Sequence, residues 1–142
     1  MDSLFNRRSP LDWMPRLRAL GARCRVDLVD VDAAVEFAVA AWSMVDLVRH
    51  ERNLPRSFAQ DVKRQCPSLA YMQDIATQRK HGEITRYAPQ LKTTNLHGGA
   101  FSADFSRDFD VSRLELTTVE GRRVLFIDAM EATIRFWETY FK

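Results

Sequence analysis

The residues of this sequence best suited to chemistry are two aspartates, a lysine and two histidines. Asp74 and His81 are seven residues apart, a spacing that places both on one face of a helix, and Lys80 is adjacent to His81. Asp46 and His50 are four residues apart and share a face of an earlier apolar stretch. The spacing therefore predicts two helices that each carry an acid and a histidine.

Antiparallel packing of these helices would bring Asp46 to the strip that holds Asp74, Lys80 and His81. Neighbouring carboxylate, ammonium and imidazole groups shift one another's pKa, which is typical of catalytic sites. His81 would then act as general acid and base, and Lys80 would stabilise charge on a phosphate. The alternative is structural, because a buried aspartate paired with a lysine or histidine also fixes the register of two helices. Under either interpretation we expect Asp46 to be buried and within reach of Lys80 or His81.

The sequence indicates no metal or cofactor site. Asp46, His50, Asp74 and His81 offer metal-binding groups, but they lack a compact ligand motif. The five glycines form no phosphate-binding loop. We therefore predict no bound metal or cofactor.

Composition is that of an ordinary globular protein. The chain has 142 residues, 46% hydrophobic and 28% charged, and a net charge of +2. This excludes a disordered tail, a disulfide scaffold and a membrane span. The two cysteines, Cys24 and Cys66, are read as reduced thiols, which predicts a cytoplasmic protein. Cys66 precedes Pro67 at a helix start, where a thiolate would be favoured, but a structural cysteine fits better because no base is spaced to activate it.

The apolar pattern predicts an α+β fold within a single domain, 1–142. Residues 1–9 are expected to be flexible and 10–82 helical. Caps and spacings of three and four predict helices at about 11–24, 30–51, 58–65 and 67–81. Together they form a helical bundle.

From about residue 90 the apolar period changes to two, which predicts a small antiparallel β-meander over 90–127. Its strands include 101–106, Leu114 to Leu116 and Val124 to Phe126, and LKTTNLHG adds a further strand. Glu120-Gly121 predicts a two-residue hairpin turn. Asp128 with Glu131 forms a capping-box pattern, which predicts a C-terminal helix over 128–142.

Two surface features bear on partners. Trp137, Tyr140 and Phe141 supply more aromatic surface than one small core needs, which predicts a homodimer. Residues 1–25 hold six arginines against two aspartates. A solvated helix face explains these arginines better than contact with phosphate, because no aromatic or glycine pattern accompanies them. A protein partner fits this surface, nucleic acid has no supporting pattern, and no membrane contact is predicted.

Two stretches, AAWSMVDLVRHE over 40–51 and CPSLAYMQDIATQRKH over 66–81, resemble a family of uncharacterised bacterial and phage proteins. In that family a Trp-x-x-x-Asp helix, here Trp42 and Asp46, precedes an Asp-Ile/Val-Ala-x-x-x-Lys-His helix. The second pattern begins here at Asp74 and ends at Lys80 and His81. Residues 77–79 depart from the family, and the family carries no settled biochemical role.

The helical part is also similar to HEPN domains, which are common in toxin–antitoxin and anti-phage systems. Active HEPN ribonucleases carry an arginine with four to six residues between it and a histidine. The corresponding positions here are 74–76, 43–45 and 90–92, and none is arginine. We therefore expect a non-enzymatic binding or assembly module, with a divergent HEPN-type ribonuclease or toxin-like protein as the alternative.

Overall fold

The described part of the chain has five helices and a three-stranded antiparallel sheet, in the order four helices, three strands and a last helix. The computed structural model describes residues 9–81, 87, 89–97 and 113–142. The elements are α1 (Pro10–Val26), α2 (Val31–Arg52), α3 (Phe58–Gln65), α4 (Pro67–His81), β1 (Leu91–His97), β2 (Arg113–Thr118), β3 (Arg123–Leu125) and α5 (Phe126–Tyr140). The predicted α+β class, with a helical bundle, a meander and a C-terminal helix, is confirmed.

Local signals fix the ends of α2. The Asp30 side chain accepts a hydrogen bond from the Ala33 amide at 2.9 Å and so caps the first turn. At the other end Asn53 adopts a left-handed conformation with φ 52°, a geometry that asparagine tolerates better than most residues. The helix packs against α1 and α4, and both α2 and α4 contact α5.

Helices α3 and α4 follow α2 with the predicted bounds. Ser57 is the cap residue of α3, although its side chain makes no capping hydrogen bond. Pro67 is the first residue of α4, where its missing amide proton costs no helical hydrogen bond. No helix in the described part of the chain is long and apolar enough to cross a membrane.

The sheet is a meander in the order β1-β2-β3. Leu116 pairs with Thr94 on one side and with Val124 on the other. The predicted two-residue turn between β2 and β3 is wrong, because three residues, 119–121, lie between Thr118 and Arg122, and the Thr118 amide donates to the Arg122 carbonyl at 2.8 Å just before β3 begins. The Gly121 amide donates to the Thr118 carbonyl at 2.9 Å, and Gly121 has φ 88°. This is the geometry of a three-residue hairpin with glycine at its left-handed position.

The start of α5 also differs from its prediction. The helix begins at Phe126 directly after β3, not at Asp128, and its cap residue is Leu125, which makes no side-chain cap. The meander therefore ends at residue 125 rather than 127. Glu131, expected in a capping box, instead accepts two hydrogen bonds from Arg25 of α1, at 2.6 and 2.9 Å. A bidentate guanidinium contact is stronger than a bond to one backbone amide, and it selects this rotamer.

The core lies between α1, α2, α4, α5 and one face of the sheet. Trp137 is fully buried in it, and Tyr140 and Phe141 are half-buried. The Trp137 ring lies 5.9 Å from the Phe141 ring and 5.5 Å from that of Tyr140. The premise that these rings form a large exposed surface is therefore wrong, and the homodimer stays a prediction without it.

Some predictions fall on other parts of the chain. The strand expected over 101–106 and the flexible N-terminus before residue 9 lie outside the described residues.

Candidate functional site

The structure places Asp74 in different surroundings from Asp46 and His50. Asp74 is buried, whereas Asp46 and His50 are exposed on α2. Lys80 and His81 lie in the last turn of α4, and their side chains are outside the described part of the chain. The expectation that Asp46 is buried is wrong, because Asp46, His50 and Ser43 form the solvent-facing stripe of a helix that buries its other faces.

Asp74 holds the connection between α4 and β1. One carboxylate oxygen accepts hydrogen bonds from the amides of Leu91 at 2.7 Å and Gln90 at 2.8 Å. The other accepts one from the Tyr87 hydroxyl at 2.9 Å. Both oxygens are therefore occupied by donors of the protein itself, and the entry to β1 is fixed to the middle of α4.

Burial raises the pKa of Asp74 above its usual range, although the bonds from Leu91, Tyr87 and Gln90 oppose this shift. Burial also raises the pKa of the Tyr87 hydroxyl. Desolvation disfavours the charged form of both acids. Tyr87 therefore remains a neutral donor to Asp74 at physiological pH and is not a base.

Lys63 of α3 lies beside this anchor. Its Nζ donates a hydrogen bond to Oε1 of Gln73 at 2.8 Å and lies over the rings of Tyr87 at 5.3 Å and Trp42 at 5.7 Å. Burial lowers the pKa of Lys63, and the charge of Asp74 opposes that effect. The amide and the two rings hold the ammonium group in one place.

Arg122 faces the same region from the turn between β2 and β3. Its guanidinium donates to the Tyr71 hydroxyl of α4 at 3.0 Å. Its backbone carbonyl accepts from the Thr118 amide at 2.8 Å, and its amide donates to Oγ1 of Thr118 at 3.1 Å. Arg122 is thus held at both its backbone and its side chain.

Lys63 and Arg122 line one surface cleft with a volume of 590 Å³, between α3, α4 and the β2–β3 turn. Its volume is within the range of small-ligand sites. Most of its lining side chains are polar: Gln60, Lys63, Arg64, Tyr71, Gln73, Asp74, Tyr87, Gln90, Glu120 and Arg122, with Pro67 and Ala70 completing the wall. Arg64 pairs with Asp61. Within the described part of the chain, neither Lys63 nor Arg122 forms an ion pair with a carboxylate.

The cleft offers binding groups rather than a reactive set. The described residues that line it include no serine, cysteine or histidine. Of its two acids, Asp74 is occupied by three donors, and Glu120 is exposed at the turn. The arrangement therefore presents cations, amides and hydroxyls to a ligand.

Other candidate chemistry is not assembled in the described residues. No three histidine, cysteine, aspartate or glutamate side chains among them are grouped to hold a metal ion. Cys24 and Cys66 are free and buried, and burial raises the pKa of both thiols, that of Cys24 to about 11. Neither thiol is therefore activated as a nucleophile.

The arginines of α1 have partners within the fold. Arg18 pairs with Glu138 and Arg25 with Glu131, both on α5. Arg23 contacts Asp30 and Glu36, at the start and in the first turns of α2. The sequence predicts that these arginines lie on a solvated helix face. In addition, they form ion pairs that connect α1 with α2 and α5.

The sequence does not mark Lys63, Arg122, Tyr71 or Tyr87 as site residues. They lie on α3, on α4, in the segment before β1 and in the β2–β3 turn, and no spacing relates them. The sequence holds one indication of the site. Gly121 predicts a tight turn, and a tight turn restricts the backbone of the next residue, Arg122.

Comparisons of the chain with models of protein families, with curated proteins and with solved structures find no match. The resemblances to the bacterial and phage family and to HEPN domains therefore stay predictions. The function rests on the chemistry of the cleft.

Proposed function

We propose that this protein is a non-enzymatic binding module that holds an anionic ligand in the cleft between α3, α4 and the β2–β3 turn. The observation that carries the proposal is the placement of Lys63 and Arg122. Both cations line the cleft, and both are held by neutral groups of the protein, Gln73 and Tyr71. A cation held by a neutral acceptor keeps its charge for a ligand.

Preorganisation supports binding at this place. Long basic side chains lose rotamer freedom when they bind, which weakens affinity. Here Trp42 and Tyr87 restrict the side chain of Lys63, Tyr71 holds the guanidinium of Arg122, and Thr118 holds the backbone of Arg122. Much of the ordering cost is therefore met when the chain folds.

The cleft favours binding over catalysis because its buried acid, Asp74, is not available as a base, and its other acid, Glu120, is exposed at the turn. Asp74 accepts from Tyr87, Gln90 and Leu91, and a proton acceptor in catalysis needs a free lone pair directed at the substrate. The divergent HEPN-type ribonuclease stays a prediction that depends on Lys80 and His81.

We also propose a cytoplasmic location and a homodimeric state. The free thiols of Cys24 and Cys66 support the first, because reducing compartments keep cysteines unpaired.

Titration calorimetry with two small anions, citrate and inorganic pyrophosphate, tests the proposal. We expect at least one to bind, and we expect Arg122→Gln and Lys63→Gln each to weaken that binding by about tenfold or more, the loss of one charge-assisted contact. Arg56→Gln is the matched control, because Arg56 is exposed and lies outside the cleft. Absence of binding, or equal binding by folded Arg122→Gln and Lys63→Gln, would contradict the proposal.

A further inference from the structure

We infer that the ligand of the cleft is a short segment of a partner protein that carries two acidic side chains. This inference rests on the proposed function and names the partner chemistry. Lys63 projects from α3 and Arg122 from the β2–β3 turn, and α4 forms the wall between them. Because each cation has its own anchor on a separate element, they form two distinct points for negative charge.

The rest of the lining suits a peptide. Gln60, Gln73 and Gln90 come from α3, α4 and the segment before β1, and all three line the cleft. An amide side chain can donate and accept, which matches the alternating N–H and C=O groups of a peptide backbone. The Gln73 oxygen already accepts from Lys63, and a small dicarboxylate has no donors for the oxygens of Gln60 and Gln90.

The charge distribution disfavours a nucleic acid. Binding to a phosphate backbone needs many cations along a track. In the described part of the chain, Arg18, Arg23 and Arg25 are engaged in ion pairs, and Arg64 pairs with Asp61.

The aromatic residues around the cleft also disfavour a nucleobase. Lys63 covers a face of Trp42 and a face of Tyr87, and Tyr71 is buried. Single-stranded nucleic acids bind by stacking bases on open rings. Trp42 and Tyr87 instead hold the Lys63 ammonium group, and the Tyr71 hydroxyl holds the Arg122 guanidinium.

Selection from a random peptide display library on the full chain tests the inference. We expect enriched peptides to share two acidic positions at a fixed spacing. Arg122→Glu should lose these peptides and enrich peptides in which one acidic position has become basic, because the turn then presents a negative charge. Arg56→Glu, a charge reversal outside the cleft, should select the same peptides as the unaltered protein.

The affinity of one enriched peptide completes the test. Replacing either acid by glutamine should weaken its binding about tenfold or more, and Lys63→Gln should weaken it only when the acid that faces Lys63 is present. A single-stranded RNA oligomer should not displace the peptide.

The outcomes separate this inference from the proposed function. If citrate or pyrophosphate binds through Arg122 but no acidic peptide is enriched, the partner inference is overturned and the anion site stands. If the RNA oligomer displaces the peptide and binds more tightly, the inference is likewise overturned. If no anion of any kind depends on Arg122 or Lys63, both fail.

Discussion

Asp74 stabilises the fold as a hydrogen-bond acceptor, whereas burial disfavours its negative charge. Three donors meet its two oxygens, yet burial still raises the pKa of the carboxyl group. The protonated or amide form of this side chain is therefore better tolerated than loss of the acceptor. This distinction can be measured.

We expect Asp74→Ala to lower the free energy of unfolding by about 2–4 kcal/mol, since it leaves the buried amide of Leu91 and the part-buried amide of Gln90 without their acceptor. Asp74→Asn should cost about 1 kcal/mol or less, because its amide oxygen can accept from both backbone groups and its NH₂ can donate to Tyr87. Urea unfolding measures both. The matched control is Asp46→Ala, which should change stability by about 0.5 kcal/mol or less at an exposed site. Equal losses at positions 74 and 46 would contradict an anchoring role.

The same residue predicts a pH dependence. The pKa of Asp74 is higher in the folded chain than its usual value of 3.8, so the folded state binds this proton more tightly than the unfolded state. Its contribution to stability is thus present below about pH 4 and is lost as pH rises through the raised pKa. Relative to Asp74→Asn, the unaltered protein should lose stability as pH rises from about 4 towards 7. The opposite trend in urea unfolding would mean that the charge itself is stabilising.

At the scale of elements, the helices were predicted closely because their signals are local. Asp30 caps α2, and Pro67 opens α4, within a few residues of the backbone that each one fixes. The start of α5 was not predicted, because β3 continues directly into the helix and buries Phe126 at the junction. The capping-box pattern at Asp128 and Glu131 could not indicate that Glu131 would pair with Arg25, which is remote in sequence.

Gly21 sets the distance between α1 and α5. An added Cβ at this position would lie 2.8 Å from Cδ1 of Ile134. Gly21→Ala raises helix propensity, which is worth up to about 1 kcal/mol of stability. The clash of the new Cβ with Ile134 cancels this gain. In an Ile134→Val background, which removes Cδ1, we expect Gly21→Ala to stabilise the protein by about 1 kcal/mol.

A double-mutant cycle measured by urea unfolding gives the coupling between positions 21 and 134. Additive effects of Gly21→Ala and Ile134→Val would show that the contact does not limit the approach of the two helices.

The ion pair Arg25–Glu131 also connects α1 with α5. The hydrogen bond from Arg25 lowers the pKa of Glu131, so its contribution is present above the usual pKa of a glutamate and is lost as pH falls through the lowered value. Both side chains are partly exposed, so we expect Glu131→Gln to cost only about 0.5 kcal/mol at neutral pH. In thermal unfolding the difference should shrink below about pH 4. If the stability difference between the unaltered protein and Glu131→Gln grows on acidification, the ionised Glu131 carboxylate is not what stabilises this pair.

At the scale of the whole molecule, the candidate site depends on how the elements assemble, and the sequence could not predict it. Asp46 was expected inside because its helix is apolar, but an α-helix this buried still has one outward stripe. Asp74 was recognised as a site residue, but its partners come from the segment before β1, whose path only the fold defines. Lys63 and Arg122 line one cleft because the β2–β3 turn contacts α4 through the hydrogen bond between Arg122 and Tyr71.

The aromatic C-terminus belongs to the same assembly. Trp137, Tyr140 and Phe141 pack on one another, and the Arg52 guanidinium lies 4.9 Å from the Tyr140 ring centre and donates to its hydroxyl at 3.2 Å. Rings arranged in this way stabilise the single chain.

We therefore expect Phe141→Ala to lower the free energy of unfolding by about 2 kcal/mol, less than for a fully buried ring. Stability that arises within one chain does not depend on concentration, whereas stability from a dimer rises with it. The loss should hence be the same across about a hundredfold range of protein concentration, and the sedimentation coefficient should match that of the unaltered protein. Leu11→Ala, at an exposed leucine of α1, is the control and should change little. A loss that appears only at high concentration, together with slower sedimentation, would return these rings to a subunit interface.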